Sequence, residues 1–113
     1  MRIIRNPISF GELKQIAESL FGDMVKAVVD VELEILAVGG ELHSDEEALL
    51  LEQGSEQKDL WGINLYPDLG ENEWIEFDSM INLRPSQNNR SRGVEDALLR
   101  SKIAEIVHML VKR

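Results

Sequence analysis

Two helical patterns lie near the ends of the chain, and the segments between them alternate with the two-residue period of β-strands. The first helical pattern covers residues 10–21 and follows the capping box Ser9-Phe10-Gly11-Glu12. The second begins near Val94 or Glu95 and runs to Val111, with acids in its first turn and bases at its end, which suits the helix dipole. Each helix has one apolar stripe and therefore needs a second layer to pack against, which predicts an α+β fold.

Four or five strands are expected between the helices. The clearest cover residues 25–31, 35–38, 60–66 and 74–84. Residues 48–52 fit either a strand or a short helix opened by Ser44 and Glu47, and the shortness of the segment favours the strand. Because the connections have hairpin length, we predict an antiparallel sheet with both helices packed on one face, a two-layer sandwich.

The alternation also predicts which side chains form the core between the sheet and the helices. In the strands these are Trp61, Ile63, Leu65, Ile75, Phe77, Ile81 and Leu83. In the helices they are Leu13, Ile16, Leu20, Ile103, Ile106 and Leu110. The other face of the sheet would be left uncovered. A homodimer could bury this face, and the sequence is compatible with either a homodimer or a monomer.

Length and charge narrow the class of protein. The 113 residues fit one domain, residues 1–113. The net charge of −9 argues against broad nucleic-acid binding. The charge is uneven: ten acids and one lysine in residues 30–59 give −9, whereas seven bases and three acids in residues 84–113 give +4. No apolar run is long enough to span a membrane, and the absence of cysteine excludes disulfides and thiolate metal sites. We expect a soluble, acidic, cytoplasmic protein without a cofactor.

Several separated blocks of the sequence resemble a known family. The blocks are Phe21–Asp30, Ala37–His43, Leu60–Pro67 and Asn82–Gln87. They resemble a family of small bacterial proteins of unknown function. The resemblance spans most of the chain and implies a bacterial, cytosolic, stand-alone protein. It implies no substrate, reaction or catalytic residue.

The main candidate site is the polar loop at residues 84–92, which leads into the last helix. Its candidate ligand-binding residues are Arg84, Ser86, Gln87, Asn88, Asn89, Arg90, Ser91 and Arg92. Guanidinium groups and helix-terminal N–H groups together suit a phosphate or carboxylate. The competing interpretation is that the amide and hydroxyl groups brace the loop backbone while the arginines pair with nearby acids.

Metal and catalytic candidates are weaker. Glu76 and Asp78 lie two apart on one predicted strand and point the same way, as metal-binding carboxylates do, but charged residues are ordinary on a solvated sheet face. His43 lies among acids without a nucleophile at a suitable spacing. We therefore expect no metal and assign no catalytic residue.

Two functions from different classes remain. The first is a non-enzymatic binding or interaction module that uses loop 84–92 to contact a small anionic ligand or a protein partner. The alternative is a small metal-assisted hydrolase or nucleotide-processing enzyme that uses the same loop for phosphate and Glu76 and Asp78 for a metal or base.

Overall fold

A computed structural model describes residues 1–113. The helices are α1 (Phe10–Glu18), α2 (His43–Glu52) and α3 (Ala97–Leu110). The strands are β1 (Arg2–Ile4), β2 (Ile8–Ser9), β3 (Val25–Asp30), β4 (Ile35–Val38), β5 (Leu60–Leu65), β6 (Ile75–Glu76) and β7 (Val111–Lys112). Five strands form an antiparallel sheet in the order β1-β4-β3-β5-β6, which confirms the predicted α+β class. No helix is both long enough and apolar enough to cross a membrane.

The larger core lies between one face of the sheet and the helices α1 and α3, as predicted. Alternate residues of β3 and β5 point to this face, so that Val29 and Trp61 occupy paired positions in it. Both helices begin at a side-chain cap. Ser9 Oγ accepts from the Glu12 N–H at 3.1 Å, and Asp96 Oδ1 accepts from the Leu98 N–H at 2.9 Å. These caps satisfy backbone donors that the first helical turn leaves free.

The opposite face of the sheet is partly covered by α2, so the predicted strand at residues 48–52 is wrong. Leu50 is fully buried there in a second cluster with Val28, Ala37 and Leu60. Burial against β3 and β4 stabilises a helix whose sequence has no continuous apolar stripe. This helix also occupies part of the face whose exposure suggested a homodimer. The homodimer stays a prediction.

The predicted strand at residues 74–84 is largely wrong, because only Ile75 and Glu76 pair with β5. Beyond them the carboxamide of Asn82 replaces a strand. Its Oδ1 accepts from the Gly62 N–H at 2.8 Å, and its Nδ2 donates to the Gly62 carbonyl at 3.0 Å. One side chain therefore fills the hydrogen-bonding position that a longer β6 would occupy, and the chain is free to turn away.

Three of the predicted core positions differ, two because β6 is short and one because α1 ends early. Ile81 packs into the cluster beside α2 rather than beneath α1 and α3, and Leu83 is exposed. Leu20 is also exposed, because α1 ends at Glu18 and not near Phe21. The sequence patterns also missed β1 as an edge strand and the parallel pairing of β2 with β7.

Gly62 should tolerate no side chain, because a Cβ there would lie 2.5 Å from the Cβ and Oγ of Ser79. We expect Gly62→Ala to lower the free energy of unfolding by about 1–3 kcal/mol, as overpacking does elsewhere. Gly70→Ala is the matched control, since nothing lies within 4 Å of its Cβ position. Urea unfolding of both variants measures the difference, and equal midpoints would contradict the predicted close contact.

Candidate functional site

A polar cavity of about 340 Å³ opens on the face of the sheet that carries α2, next to the N-terminus of that helix. Its floor is a row of three side chains from adjacent strands, Lys26 of β3, Asn64 of β5 and Glu76 of β6, which the strand register places side by side. The first turn of α2 forms one wall, and the segment from Asp78 to Ile81 forms another, with Arg92 beside it. We call this the sheet-face cavity.

The β6 side of the cavity is anionic and already organised by hydrogen bonds. Asn64 Nδ2 donates to Glu76 Oε1 at 2.8 Å and to the Asp78 carbonyl oxygen at 3.1 Å. Arg92 Nε forms an ion pair with Asp78 Oδ1 at 2.8 Å. Burial and the negative charge of Glu76 raise the pKa of Tyr66, whose hydroxyl lies 3.4 Å from Glu76 Oε1. Glu76 therefore has hydrogen-bond partners but no ion pair.

The β3 side of the cavity is cationic. The half-buried Lys26 has no ion pair or hydrogen bond from its ammonium group, which lies 5.5 Å from the centre of the Phe21 ring. Nearby, α2 begins after Leu42, whose side chain cannot cap the helix. The first N–H groups of a helix lack intrahelical acceptors and carry partial positive charge. This end of the cavity therefore offers positive charge that no protein group neutralises.

His43, in the first turn of α2, lines the cavity and contacts the backbone of β5. Its Nε2 lies 2.8 Å from the Ile63 carbonyl oxygen, which can only accept, so Nε2 carries the proton of a neutral ring. Burial lowers the pKa of His43, against the hydrogen bond to Ile63, which raises it. The imidazole is therefore neutral at pH 7 and fixed to the sheet. Its position favours a role in shaping the cavity over the catalytic role considered from the sequence.

Arg84, a predicted ligand-binding residue, is directed into the protein. Its Nη1 donates to the Gln57 carbonyl oxygen at 2.7 Å, its Nε donates to the Ile81 carbonyl oxygen at 3.1 Å, and its Nη2 donates to the carbonyl oxygen of Leu60. The guanidinium carbon lies 4.1 Å from the centre of the Trp61 ring. This buried arginine joins three segments of backbone.

The amide side chains of Gln87 and Asn89 in loop 84–92 also form hydrogen bonds with backbone carbonyl groups. Asn89 Nδ2 donates to the carbonyl oxygens of Asn82 and Gly93 at 2.7 and 2.8 Å, and Gln87 Nε2 donates to the Lys58 carbonyl oxygen at 3.0 Å. Asn88 takes the left-handed conformation at φ 60°, which asparagine tolerates. Ser91 Oγ accepts from the Gly93 N–H at 3.2 Å.

The three arginines of the loop take separate directions. Arg84 stacks on Trp61, Arg92 pairs with Asp78, and the exposed Arg90 has no ion pair. The α3 N-terminus, expected to join them around an anion, is capped by its own Asp96. Ser86 is exposed and makes no side-chain hydrogen bond, while Gln87, Asn88 and Asn89 line a separate cavity of about 360 Å³. Only Arg92 of this loop lines the sheet-face cavity.

Glu76 and Asp78, the acids considered as metal ligands, both line the sheet-face cavity. Each has a partner within the protein: Asp78 pairs with Arg92, and Glu76 accepts from Asn64. No group of three or more His, Cys, Asp and Glu side chains is arranged to hold a metal ion. Sequence reasoning passed over Lys26 and Asn64. The signal was present, because both are polar positions in otherwise apolar strands, but only the strand register places them beside Glu76.

The fold and the cavity together define an α+β protein with a polar cavity on one face of an antiparallel sheet. The chain belongs to the family described as a protein of unknown function, DUF5674, whose model matches residues 2–110. No curated protein and no solved structure matches the chain. Membership of a family of unknown function agrees with the resemblance found in the sequence, while the bacterial origin stays a prediction.

Proposed function

We propose that the protein is a non-enzymatic binding module and that it binds a small polar molecule in the sheet-face cavity. One observation carries the proposal: the cavity is lined by Lys26 and Glu76, two charged side chains of opposite sign that have no ion pair within the protein. Lys26 is half-buried, whereas Glu76 is exposed at the cavity edge. A partly buried charge such as that of Lys26 costs free energy without a partner, so a ligand that pairs with it gains affinity.

Loop 84–92 supports this cavity through its backbone. The Arg92 carbonyl oxygen accepts from Asn82 Nδ2 at 2.9 Å and from the Ser79 N–H at 2.9 Å. Asn82 is in turn fixed to Gly62 of β5. The polar loop thereby fixes the position of Arg92 relative to the sheet, so that its guanidinium reaches Asp78 at the cavity wall.

The hydrolase alternative requires Glu76 and Asp78 to share a metal ion or to act as a base. Asp78 is instead paired with Arg92, and Glu76 accepts from Asn64. A cation bound between the two acids would have to break the first of these contacts. Binding without chemistry needs no such rearrangement and is the function that the geometry supports best.

Nuclear magnetic resonance with a library of small polar compounds tests this proposal. We expect compounds that bind to shift the backbone amide signals of residues 26, 43–44, 64, 76, 78–81 and 92 together, since these residues line one cavity. Arg92→Gln should weaken the binding of such compounds, whereas Arg90→Gln, in the same loop but outside the cavity, should leave it unchanged. Shifts confined to residues 86–91 would contradict the cavity and point to the loop surface.

A further inference from the structure

We infer that the ligand of the sheet-face cavity is a small zwitterion of the amino-acid type, whose carboxylate pairs with Lys26 and the start of α2 and whose protonated amine pairs with Glu76. This inference rests on the proposed binding function and names its ligand class. The inference depends on the row Lys26–Asn64–Glu76, in which the strand register places charges of opposite sign, neither in an ion pair, at the two ends.

The charges of the cavity disfavour a ligand of one sign. Arg92 and Asp78 neutralise each other at 2.8 Å. Lys26 and Glu76 remain, and they balance each other in charge without touching. A phosphate attracted by Lys26 would be repelled by Glu76, and a metal cation or simple amine attracted by Glu76 would be repelled by Lys26. A molecule that is neutral overall, with separated charges, satisfies both.

The spacing of the two ends fits such a molecule. Neighbouring strands lie about 4.8 Å apart, so the backbones of Lys26 and Glu76, two strands apart, are separated by roughly 10 Å. Both side chains are long enough to bring their charged ends closer together over the cavity. A ligand whose carboxylate and amine are separated by a few bonds can therefore bridge them.

Two further groups indicate where each end of the ligand belongs. His43 and Ser44, in the first turn of α2, line the cavity, and the helix has no side-chain cap, so its free N–H groups suit the carboxylate. Asn64 is 93% buried (7% exposed), and its Oδ1 has no hydrogen-bond donor although its Nδ2 donates twice. Both hydrogen bonds to Glu76, from Asn64 Nδ2 and from the Tyr66 hydroxyl, reach its Oε1, so its Oε2 is left to accept from the ammonium group.

The size of the cavity sets the size of the ligand. Its volume of about 340 Å³ lies at the lower end of the range for small-molecule sites. At about 30 Å³ for each displaced water, it accommodates roughly ten non-hydrogen atoms. Free amino acids and short ω-amino acids have this size.

The test is a titration, followed by nuclear magnetic resonance, with the twenty free amino acids, 4-aminobutyrate and 6-aminohexanoate. For the tightest binder, two analogues are compared with it: the carboxamide, which lacks the negative charge, and the N-acetyl derivative, which lacks the positive charge. We expect the zwitterion to shift the signals of residues 26, 44, 64 and 76, and each analogue to bind at least tenfold more weakly.

Two variants assign the ends of the ligand. Lys26→Met should weaken the zwitterion more than its carboxamide and so reduce the preference between them severalfold, because only the start of α2 is then left to favour the carboxylate. Glu76→Gln should no longer distinguish the zwitterion from its N-acetyl derivative. Lys14→Met is the control, since Lys14 lies on α1 and pairs with Asp68 at 3.2 Å outside the cavity, and it should keep both preferences.

The outcomes separate this inference from the proposed function. If zwitterions fail but other small polar compounds shift the same cavity signals, the binding function stands and the zwitterion is wrong. If the analogues bind as tightly as the parent compound, the zwitterion is also wrong. If no compound of either set shifts the cavity signals, both proposals are wrong.

Discussion

Glu46→Gln should stabilise the protein at neutral pH, and the gain should grow as the pH rises. Glu46 lies on the buried side of α2, where its Oε2 accepts from the Gly40 N–H at 3.0 Å and its Oε1 has no partner. Burial raises the pKa of Glu46 to about 9, although the Gly40 N–H and the charge of Lys26 both lower it. The carboxyl group is therefore neutral in the folded protein at pH 7.

The sign of the pH dependence follows from this raised pKa. An unfolded glutamate has a pKa of about 4.3, so between about pH 4 and 9 the folded protein holds a proton that the unfolded chain has released. The stability contributed by this group is fully present below about pH 4.3 and is lost progressively as the pH rises towards 9, by about 1.4 kcal/mol for each pH unit. Glutamine is always neutral, so we expect the variant to gain about 2–4 kcal/mol over the wild type at pH 7.

Guanidinium chloride unfolding at pH 5 and pH 8 measures the effect. The difference in the free energy of unfolding between variant and wild type should be clearly larger at pH 8. Glu52→Gln is the control, because Glu52 is exposed on the same helix and any change in stability should be similar at both pH values. A difference for Glu46→Gln that does not change with pH would contradict the buried neutral carboxyl group.

Arg84→Ala should destabilise the protein strongly, by about 3–5 kcal/mol. The substitution removes the donors for the carbonyl oxygens of Gln57, Leu60 and Ile81, and an unsatisfied buried acceptor costs about 1–3 kcal/mol. It also removes the contact with the Trp61 ring at 4.1 Å. Arg84→Lys should recover only part of the loss, because an ammonium group cannot reproduce the planar fork of donors.

The measurement is thermal and chemical unfolding of these variants beside Arg90→Ala. Arg90 is exposed in the same loop and has no ion pair, so its removal should change the stability by no more than about 0.5 kcal/mol. Arg84→Ala with wild-type stability but weaker binding of phosphate would contradict the bracing role and restore the anion site predicted from the sequence.

The candidate site could be predicted only in parts from the sequence. Glu76 and Asp78 were identified as paired acids, and Arg92 as one of three arginines in a polar loop. Both of these predictions depended on residues that are close together in the sequence. Lys26, 50 residues before Glu76, enters the same cavity only because β5 pairs with β3 on one side and β6 on the other. A local sequence pattern does not show which residues of two distant strands lie opposite each other. The sequence therefore could not predict which side chains line the cavity.

The sequence by itself determined the two outer helices and the strands β3, β4 and β5. Their signals are local: the Ser9 cap, the helical spacing of apolar residues, and the alternation through Val25 and Ile63. Tertiary structure decided α2, since a short apolar run such as residues 48–51 satisfies a helix or a strand equally, and burial of Leu50 against Val28 favours the helix. It also decided the shortness of β6, because the carboxamide of Asn82 completes the pairing of Gly62 from a distant part of the chain.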